Sequence, residues 1–356
     1  MNRTINMLSG AEKVKGQGVL SAYEEQVNLV KDNLKNEYNI SINEMKFSDI
    51  MHYHTINLEY YLTLPFTKIT SCTVGYVHFL PETLDNSIKL PKIIKNIFYK
   101  YVIEFYKSMD YLVTVNPYFI DKLVAYGIDR EKVTYIPNYV SDKNFFRMDK
   151  HEKHAIRKKY CIPSDKFVVL CVGQLQLRKG FFDFIEVAKR LPDFQFIWAG
   201  DFSFKKISDG YEKIKIVVEN HPDNVRFLGI VPREQMNEIY NMSDVMFLPS
   251  YEELFPMTVL ESANCKLPIV LRDIELYKGI LDGYYLSGKN NEDFINLLVL
   301  LRNDETEYSK ACQMSYSCAK QYSEESVSKL WRSYYNKIYK KKMREKNNKK
   351  GWLDSL

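Results

Sequence analysis

Short apolar runs alternate with amphipathic segments along most of the chain, which predicts strands and helices in turn. The runs at 5–8, 111–115 and 167–173 have the length and apolar content of buried strands. Segments with apolar residues at helical spacing follow them, as at 20–34 and 181–190. Regular alternation of strands and helices predicts parallel sheets covered by helices, so the fold class is α/β.

The pattern starts again after a charged helical segment at 151–160. The length of the chain, 356 residues, is enough for two α/β domains with separate cores. We therefore expect a first α/β domain over 1–150 and a second over 151–320. A helix at 321–343 and a basic tail at 344–356 would complete the chain.

The stretch after the buried run at 245–248 predicts a ligand site. A turn follows that run, and an amphipathic helix starts near Met257. Its N-terminus would then face the carboxyl edge of a parallel sheet, where ligands of open α/β sheets bind. Backbone N–H groups around Phe255, Met257 and Thr258 are suited to an anion such as a nucleotide phosphate. Pro256 has no N–H but fits the first helical turn.

Two carboxylates, Glu253 and Glu261, bracket this corner. Glu253 would lie in the loop before the helix and Glu261 about one and a half turns into it. They would contact different parts of one extended ligand, such as two pairs of vicinal hydroxyls. The alternative is two solvated glutamates beside an ordinary helix start.

Two further loops carry candidate phosphate contacts. Gly173 ends the strand that opens the second domain, and Arg178 and Lys179 follow in its loop. Arginine binds pyrophosphate through paired hydrogen bonds and lysine acts as a point charge, so these residues are suited to a diphosphate. The alternative is a pair of ordinary surface cations. Gly16 and Gly18 would let the backbone approach a ligand before the first helix.

Polar residues also end three predicted strands of the first domain. His54 and His78 close two of them, and Asn116 follows the strand at 111–115. The carboxyl ends of parallel strands meet at one edge, so these side chains are candidates for substrate contacts. Of these we favour His78 as a functional residue. Packed, hydrogen-bonded histidines are the alternative.

The composition describes a folded protein, with 46% hydrophobic and 27% charged residues. The sequence has no apolar run of 18 residues and no secretory signal at its N-terminus, so we expect a cytoplasmic protein. The cysteines lie mostly in apolar segments without C-x-x-C spacing, which predicts reduced, buried thiols. Neither a metal site nor a disulfide framework is indicated.

The net charge is only +5, but two segments are strongly basic. The segment 337–350 has eight basic residues and one acid, and the segment 91–107 is a basic amphipathic helix. Both features favour an anionic membrane surface. A fraying helix end and packing against the sheet are the alternatives. Nucleic-acid binding is not favoured, since no aromatic and basic reading surface accompanies the tail.

In these motifs and their order, the sequence resembles the retaining, nucleotide-sugar-dependent glycosyltransferases of the GT-B fold, in the large family numbered four. The resemblance covers nearly the whole chain. It implies two Rossmann-like domains with a cleft between them and a C-terminal helix that crosses back to the first domain. The motifs that carry it are the glycine loop at 16–18, Val77 with His78, the runs 136–138, 178–180, 227–229 and 243–250, and the Glu253 and Glu261 pair.

The resemblance also implies roles for residues. Glu253 would bind hydroxyls of the donor sugar, and Glu261 would bind the ribose. Arg178 and Lys179 would stabilise the departing diphosphate, and backbone groups near Ile230 would face the base. Protein cations would serve the diphosphate, so no metal and no cofactor is expected besides the UDP-sugar donor substrate.

His78 matches the histidine that the family has near the donor sugar and the reaction centre. At the same predicted edge, His54 and Asn116 would bind the acceptor. Three positions depart from the family pattern. Gln174 replaces the usual arginine, Phe79 the common aspartate after the histidine, and Pro256 a glycine. These departures bear on the phosphate and acceptor contacts. They also leave open a catalytically silent protein of the same fold that acts as a membrane partner.

The opening segment 5–19 and the run 253–257 are similar to Gram-positive bacterial enzymes that elongate glycolipids. Those enzymes add a second hexose to monoglucosyl diacylglycerol, giving the lipid that anchors lipoteichoic acid. The resemblance implies a retaining hexosyltransferase, peripheral on the inner face of the cell membrane, that uses UDP-glucose or UDP-galactose. An acceptor from the cell wall or from polysaccharide synthesis stays an alternative.

Overall fold

The computed structural model describes residues 3–10, 18–81, 91–202 and 210–353. Its strands form two six-stranded sheets, and every pairing of neighbouring strands within the sheets is parallel. The predicted α/β class is confirmed.

The first sheet has the strand order β2-β1-β3-β4-β5-β6. Its central strands are buried along their length because helices cover both faces. Consecutive strands that lie side by side and parallel need crossover helices, which matches the predicted Rossmann-like pattern. The strands are β1 (Arg3–Leu8), β2 (Tyr38–Ile42), β3 (Ile50–Tyr53), β4 (Cys72–Val77), β5 (Tyr111–Thr114) and β6 (Val133–Tyr135).

The second sheet has the strand order β12-β11-β10-β7-β8-β9. The strands β7 and β10 are neighbours, so the loops that follow them lie side by side at the carboxyl edge. The strand predicted at 245–248 is confirmed as β10. The strands are β7 (Phe167–Val172), β8 (Phe194–Ala199), β9 (Val225–Gly229), β10 (Val245–Leu248), β11 (Ile269–Arg272) and β12 (Leu286–Gly288).

Helices cover both sheets and join the strands. Within the described ranges, no helix combines the length and the apolar content needed to cross a lipid bilayer. The α-helices are α1 (Gly18–Leu34), α2 (Leu58–Thr70), α3 (Lys92–Lys107), α4 (Tyr118–Ala125), α5 (Lys150–Lys159), α6 (Phe181–Arg190), α7 (Tyr211–Glu219), α8 (Met236–Met242), α9 (Met257–Asn264), α10 (Asn291–Asn303), α11 (Glu305–Gln321) and α12 (Glu324–Leu353).

The last helix, α12, crosses back to the first sheet, as predicted. Its residues Trp331 and Tyr335 pack against His52 on β3, and the Tyr335 hydroxyl lies 2.8 Å from the His52 Nδ1 atom. Arg332 pairs with Glu37 of the first domain at 2.7 Å. The helix continues past its predicted end at 343, because the basic residues that follow have good helix propensity.

The cysteines are free thiols, and the prediction of burial holds for four of them: Cys72, Cys171, Cys265 and Cys318. It is wrong for Cys161, which is exposed. Cys161 follows the end of α5 with a φ of 52°, and a side chain in that left-handed turn points away from the core.

Candidate active site

A buried ion pair between Lys179 and Glu253 lies at the carboxyl edge of the second sheet. Lys179 ends a short 3₁₀ turn after β7, and Glu253 lies in the loop after β10. Because β7 and β10 are neighbours, the two loops meet, and the Lys179 Nζ atom lies 2.5 Å from the Glu253 Oε1 atom. The pair joins the two motifs that the sequence marks as donor-binding.

The charges of this pair depend on each other. Burial alone would raise the pKa of Glu253, but the cations of Lys179 and Arg178 oppose it and lower that pKa. Burial lowers the pKa of Lys179, and the Glu253 carboxylate acts in the opposite direction. Glu253 is therefore an ionised carboxylate that holds the ammonium group at a fixed place in the site.

Glycine allows the two loops to come this close. Gly180 has a φ of 70°, and a Cβ atom there would lie 2.3 Å from the carbonyl oxygen of Pro249. The Tyr251 N–H also donates to the carbonyl oxygen of Arg178 at 2.8 Å. A Cβ atom at Gly173 would lie 3.6 Å from the Lys179 Cε atom, so Gly173 lines the other side of the lysine.

The second glutamate, Glu261, lies on α9 and is buried. Its Oε2 atom accepts a hydrogen bond from the Tyr240 hydroxyl at 2.6 Å. Its Oε1 atom accepts one from Arg233 at 2.7 Å, and the same guanidinium donates to Glu25 of the first domain at 2.6 Å. Burial acts to lower the pKa of Arg233, but the two carboxylates overcome it and raise that pKa.

The helix start predicted near Met257 is confirmed, and Pro256 occupies its N-cap position. Two asparagines of the first domain reach the loop just before this helix. The Asn138 side chain donates to the Phe255 carbonyl oxygen at 3.0 Å. The Asn116 side chain donates to the carbonyl oxygens of Leu254 and Leu276, each at 2.8 Å. These bonds hold the two domains, here called the first and second lobes, together beside the loop that carries Glu253.

The carboxyl edge of the first sheet buries three histidines in a stack with Tyr76. The ring centroids of His52 and His54 are 4.2 Å apart, and those of Tyr76 and His78 are 4.4 Å apart. Burial lowers the pKa of His78 from 6.5 to about 3. Burial, with a smaller contribution from His78, also lowers the pKa of His52 from 6.5 to about 3. Burial and then the other two histidines lower the pKa of His54 well below 6.5. The cluster is neutral at physiological pH.

Comparison with known proteins shows which family the chain belongs to. The model described as "Glycosyl transferases group 1" matches residues 152–316. The chain is also 44% identical to the alpha-galactosylglucosyldiacylglycerol synthase of Streptococcus pneumoniae over 94% of this chain and 89% of that protein. The chain belongs to the group 1 glycosyl transferases. It is therefore a glycosyltransferase, and the sequence-based recognition of the family is confirmed.

A second relative of this glycosyltransferase is the processive diacylglycerol alpha-glucosyltransferase of Acholeplasma laidlawii. The two are 29% identical over 74% of this chain and 78% of that protein. Among solved structures, HepE of Anabaena in complex with UDP and glucose matches with a TM-score of 0.75 at 13% identity. That match covers 93% of this chain and 99% of the other, and it confirms the two-lobed GT-B fold.

The structure brings most of the predicted donor residues of the glycosyltransferase to one edge. Gly173, Arg178, Lys179 and Glu253 meet there, and α9, which begins at Met257 and carries Thr258 and Glu261, starts beside them. Ile230 is exposed just after β9, whose last residue, Gly229, accepts a hydrogen bond from the Gly200 N–H. The roles assigned to these residues stay predictions.

Three of the predicted residues that the structure describes, Gly18, His54 and Asn116, have other settings. Gly16 lies outside the described residues, and Gly18 is the first residue of α1. The side chain of His54 is enclosed in the histidine cluster, and that of Asn116 spans the two lobes. Their predicted acceptor contacts stay predictions. In the described part of the chain, no group of three His, Cys, Asp or Glu side chains could hold a metal ion.

Sequence reasoning missed Arg233, Tyr240 and Glu25, although they surround Glu261. No spacing rule links Glu25 to Arg233, which are 208 positions apart. The only signal was the position of Arg233 shortly after β9, at the same carboxyl edge as the other donor candidates. Sequence reasoning also missed helix α2, which carries much of the exposed apolar surface of the first lobe.

Proposed function

We propose that this glycosyltransferase moves a galactosyl or glucosyl unit from a UDP-sugar to a membrane glycolipid, with retention of configuration. The observation that carries the donor side is the buried Lys179 and Glu253 pair at the sheet edge. A lysine ammonium has three N–H donors, and Glu253 uses one of them. The other two are suited to diphosphate oxygens.

In this proposal, departure of the leaving group is the step that the site must stabilise most. Departure of the nucleotide diphosphate concentrates negative charge, and preorganised cations stabilise that charge best in a site that excludes water. Arg178, Lys179 and the N–H groups at the start of α9 supply the positive charge. The proposal therefore calls for no metal ion and no cofactor, and the UDP-sugar is the donor substrate.

The remaining residues place the donor and its reacting carbon. Glu253 would accept hydrogen bonds from sugar hydroxyls, and Glu261 from the ribose, while the backbone near Ile230 faces the base. His78 is neutral because its pKa is about 3. It would therefore contact the sugar through a neutral hydrogen bond and would not act as a general acid at physiological pH.

The acceptor is proposed from the relatives. The pneumococcal relative is named for an alpha-galactosylglucosyldiacylglycerol product, which supports a glucosylated diacylglycerol as acceptor and favours galactose as the donor sugar. The Acholeplasma relative is named a diacylglycerol glucosyltransferase, which keeps glucose as the second candidate. Both names support a glycolipid over a soluble cell-wall or polysaccharide acceptor.

An exposed apolar surface of the first lobe supports binding of the enzyme to a membrane. Helix α2 exposes Leu58, Leu62, Phe66 and Ile69, whose side chains are between 58% and 74% exposed. These positions recur every three or four residues and so form one helix face. Exposed aliphatic and aromatic side chains on a continuous helix face are typical of an interfacial membrane contact.

Helix α3 continues this surface. It exposes Ile93, Ile94 and Ile97, while four residues of its second half are buried: Val102, Ile103, Phe105 and Tyr106. It packs beside α2, with the Tyr61 and Tyr101 rings 5.6 Å apart. The apolar stripe predicted for 91–107 thus divides into an exposed first half and a packed second half.

The basic part of α12 lies beside this surface. Its Lys342 donates to the carbonyl oxygen of Lys68, near the end of α2. Lysines around an apolar helix pair attract an anionic leaflet, where each contributes about 1 kcal/mol. We propose that this surface holds the enzyme on the inner face of the cell membrane.

The test supplies UDP-galactose or UDP-glucose together with phosphatidylglycerol vesicles that contain monoglucosyl diacylglycerol. We expect a diglycosyl lipid whose new linkage is α, identified by mass spectrometry and NMR, and faster with UDP-galactose. A soluble saccharide acceptor serves as the second arm. Transfer to that acceptor without transfer to the lipid would overturn the glycolipid assignment.

A vesicle-sedimentation assay tests the membrane surface separately. The double variant Leu62→Asn with Phe66→Asn removes about 3 kcal/mol or more of apolar burial, so vesicle binding should fall more than tenfold. The matched control is Ile216→Asn on α7, which removes an equally exposed apolar side chain from the second lobe. Equal binding by the double variant and the control would exclude α2 from the membrane contact.

A further inference from the structure

Arg233 joins the two lobes at the edge of the donor site. It opens a short 3₁₀ turn after β9 in the second lobe. One arm of its guanidinium donates to Glu261 at 2.7 Å, and the other donates to Glu25 on α1 of the first lobe at 2.6 Å. A single planar cation therefore spans the two lobes and touches the carboxylate proposed to bind ribose.

Each carboxylate of this bridge has a second fixed contact. The other Glu25 oxygen accepts from the Ser141 N–H at 3.0 Å, and the other Glu261 oxygen accepts from Tyr240. The Arg233 guanidinium also lies over the ring of Phe145, 4.9 Å from its centroid. Both carboxylates are buried, so the positions of these atoms are set by the fold and not by solvent.

The bridge leaves hydrogen-bonding capacity on Glu261. A carboxylate oxygen can accept two hydrogen bonds, and each oxygen of Glu261 has one protein donor in the structure. One further bond to each oxygen matches the two vicinal hydroxyls of a ribose. This match depends on Arg233 using only one of its arms on Glu261.

We propose that Glu25 and Arg233 are positioning residues for the nucleotide, and that Glu25 keeps one arm of Arg233 away from Glu261. The proposal rests on the proposed ribose contact of Glu261. Without Glu25, the guanidinium can turn and bind Glu261 with both arms, the preferred geometry of an arginine and a carboxylate. The second arm would then fill the Oε2 atom of Glu261, which already accepts from Tyr240, and capacity for only one of the two ribose hydroxyls would remain. Nucleotide affinity is thus set partly by a residue of the first lobe.

The test compares two nucleotides on the full-length protein by calorimetric titration. UDP carries both ribose hydroxyls, and 2′,3′-dideoxy-UDP carries neither. We expect Glu25→Gln to weaken UDP binding about tenfold and to change dideoxy-UDP binding less than about twofold. In transfer assays, the same variant should raise the KM for the donor and leave kcat nearly unchanged.

The matched control is Glu37→Gln, which breaks the 2.7 Å ion pair between the first lobe and Arg332 on α12 without touching Glu261. It should bind both nucleotides like the wild type. Glu25→Gln in a Glu261→Ala background should have no further effect on UDP binding. An equal loss for both nucleotides, or no loss for UDP, would overturn the proposal.

Glu261→Ala alone separates this inference from the proposed function. If that variant binds UDP like the wild type, the ribose role of Glu261 fails and the inference fails with it. If Glu261→Ala weakens UDP binding but Glu25→Gln does not, the ribose role stands and only the positioning role of Glu25 is overturned. Thermal unfolding of each variant checks that the fold is kept.

Discussion

The carboxyl edges of the two sheets bury polar groups of opposite character. The edge of the first sheet carries His52, His54 and His78, stacked with Tyr76 and neutral. The edge of the second sheet carries ion pairs, of which the pair of Lys179 with Glu253 is the most buried. Both edges lie at equivalent places of similar sheets, so the difference comes from side chains alone.

In the proposed function, this difference divides the chemistry between the lobes. A departing diphosphate gains negative charge, and buried cations stabilise such charge strongly. A hydroxyl acceptor stays close to neutral until it attacks the anomeric carbon of the donor sugar, and neutral imidazoles can contact it without a large change in charge. The charged edge is therefore suited to the donor and the neutral edge to the acceptor and the reacting sugar.

The largest expected effect comes from breaking the charged edge. Lys179→Met keeps the apolar stem but removes the ammonium group, so kcat/KM should fall about 10²–10³-fold through loss of charge stabilisation. Steady-state transfer assays measure this. Because a buried carboxylate is left without its partner, the variant should also lose about 3–5 kcal/mol of stability.

A matched variant separates activity from stability. Lys153 also forms a partly buried ion pair in the second lobe, with Asp244 at 2.7 Å, but on the outer helix α5. Lys153→Met should therefore destabilise the protein and leave kcat/KM within about threefold of the wild type. If both variants lose activity in proportion to stability, Lys179 has no special place in the reaction.

The neutral edge can be tested through its response to acid. The folded-state pKa of His52 is about 3, against 6.5 for the free side chain. Between these values the unfolded chain binds a proton that the folded chain does not, so stability falls as the pH falls below about 6.5. His52→Phe should reduce this slope by up to about 1.4 kcal/mol per pH unit.

Chemical denaturation at pH 7, 6 and 5 measures the slope. The matched control is His221→Gln, because His221 is an exposed histidine of the second lobe. The stability of the control should depend on pH in the same way as the stability of the wild type. An unchanged slope in His52→Phe would show that the cluster takes up protons while folded, and the contrast between the two edges would then be wrong.

The sequence was sufficient to predict elements whose structure is set by residues close together in the chain. The apolar run at 245–248 became β10, and Pro256 marked the start of α9, because a proline fits the first helical turn but not a helix interior. The order of motifs also placed Lys179 and Glu253 at the same edge. Parallel topology brings the ends of neighbouring strands together even when they are far apart in sequence.

The sequence was not sufficient to predict contacts between segments that are far apart in the chain. It was also not sufficient to predict a helix that lacks the usual amphipathic pattern. Helix α2 was missed because Pro65 lies inside it and because apolar residues occupy both its buried and its exposed faces. The bridge from Glu25 to Arg233 joins the two lobes, and only their relative placement creates it. Asn116 was predicted to bind the acceptor, but no local pattern could indicate its bonds to the other lobe.

Asn116 gives the smallest expected effect and tests how the two edges are held together. Its amide donates to Leu254 and Leu276 across the cleft, so Asn116→Ala should cost about 1–2 kcal/mol of stability. Because Leu254 follows Glu253 directly, a looser contact should raise the KM for the donor a few-fold. The KM for the acceptor should stay unchanged, whereas a direct acceptor contact would raise it.

The control for this variant is Asn224→Ala. Asn224 donates to three backbone carbonyls, those of Ala188, Leu191 and Phe194, all within the second lobe. Its loss should lower stability by a similar amount and leave both KM values unchanged. If Asn116→Ala raises only the KM for the acceptor, the residue serves the neutral edge as the sequence predicted. A rise in the KM for the donor alone would instead show that the first lobe orders the charged edge through its backbone.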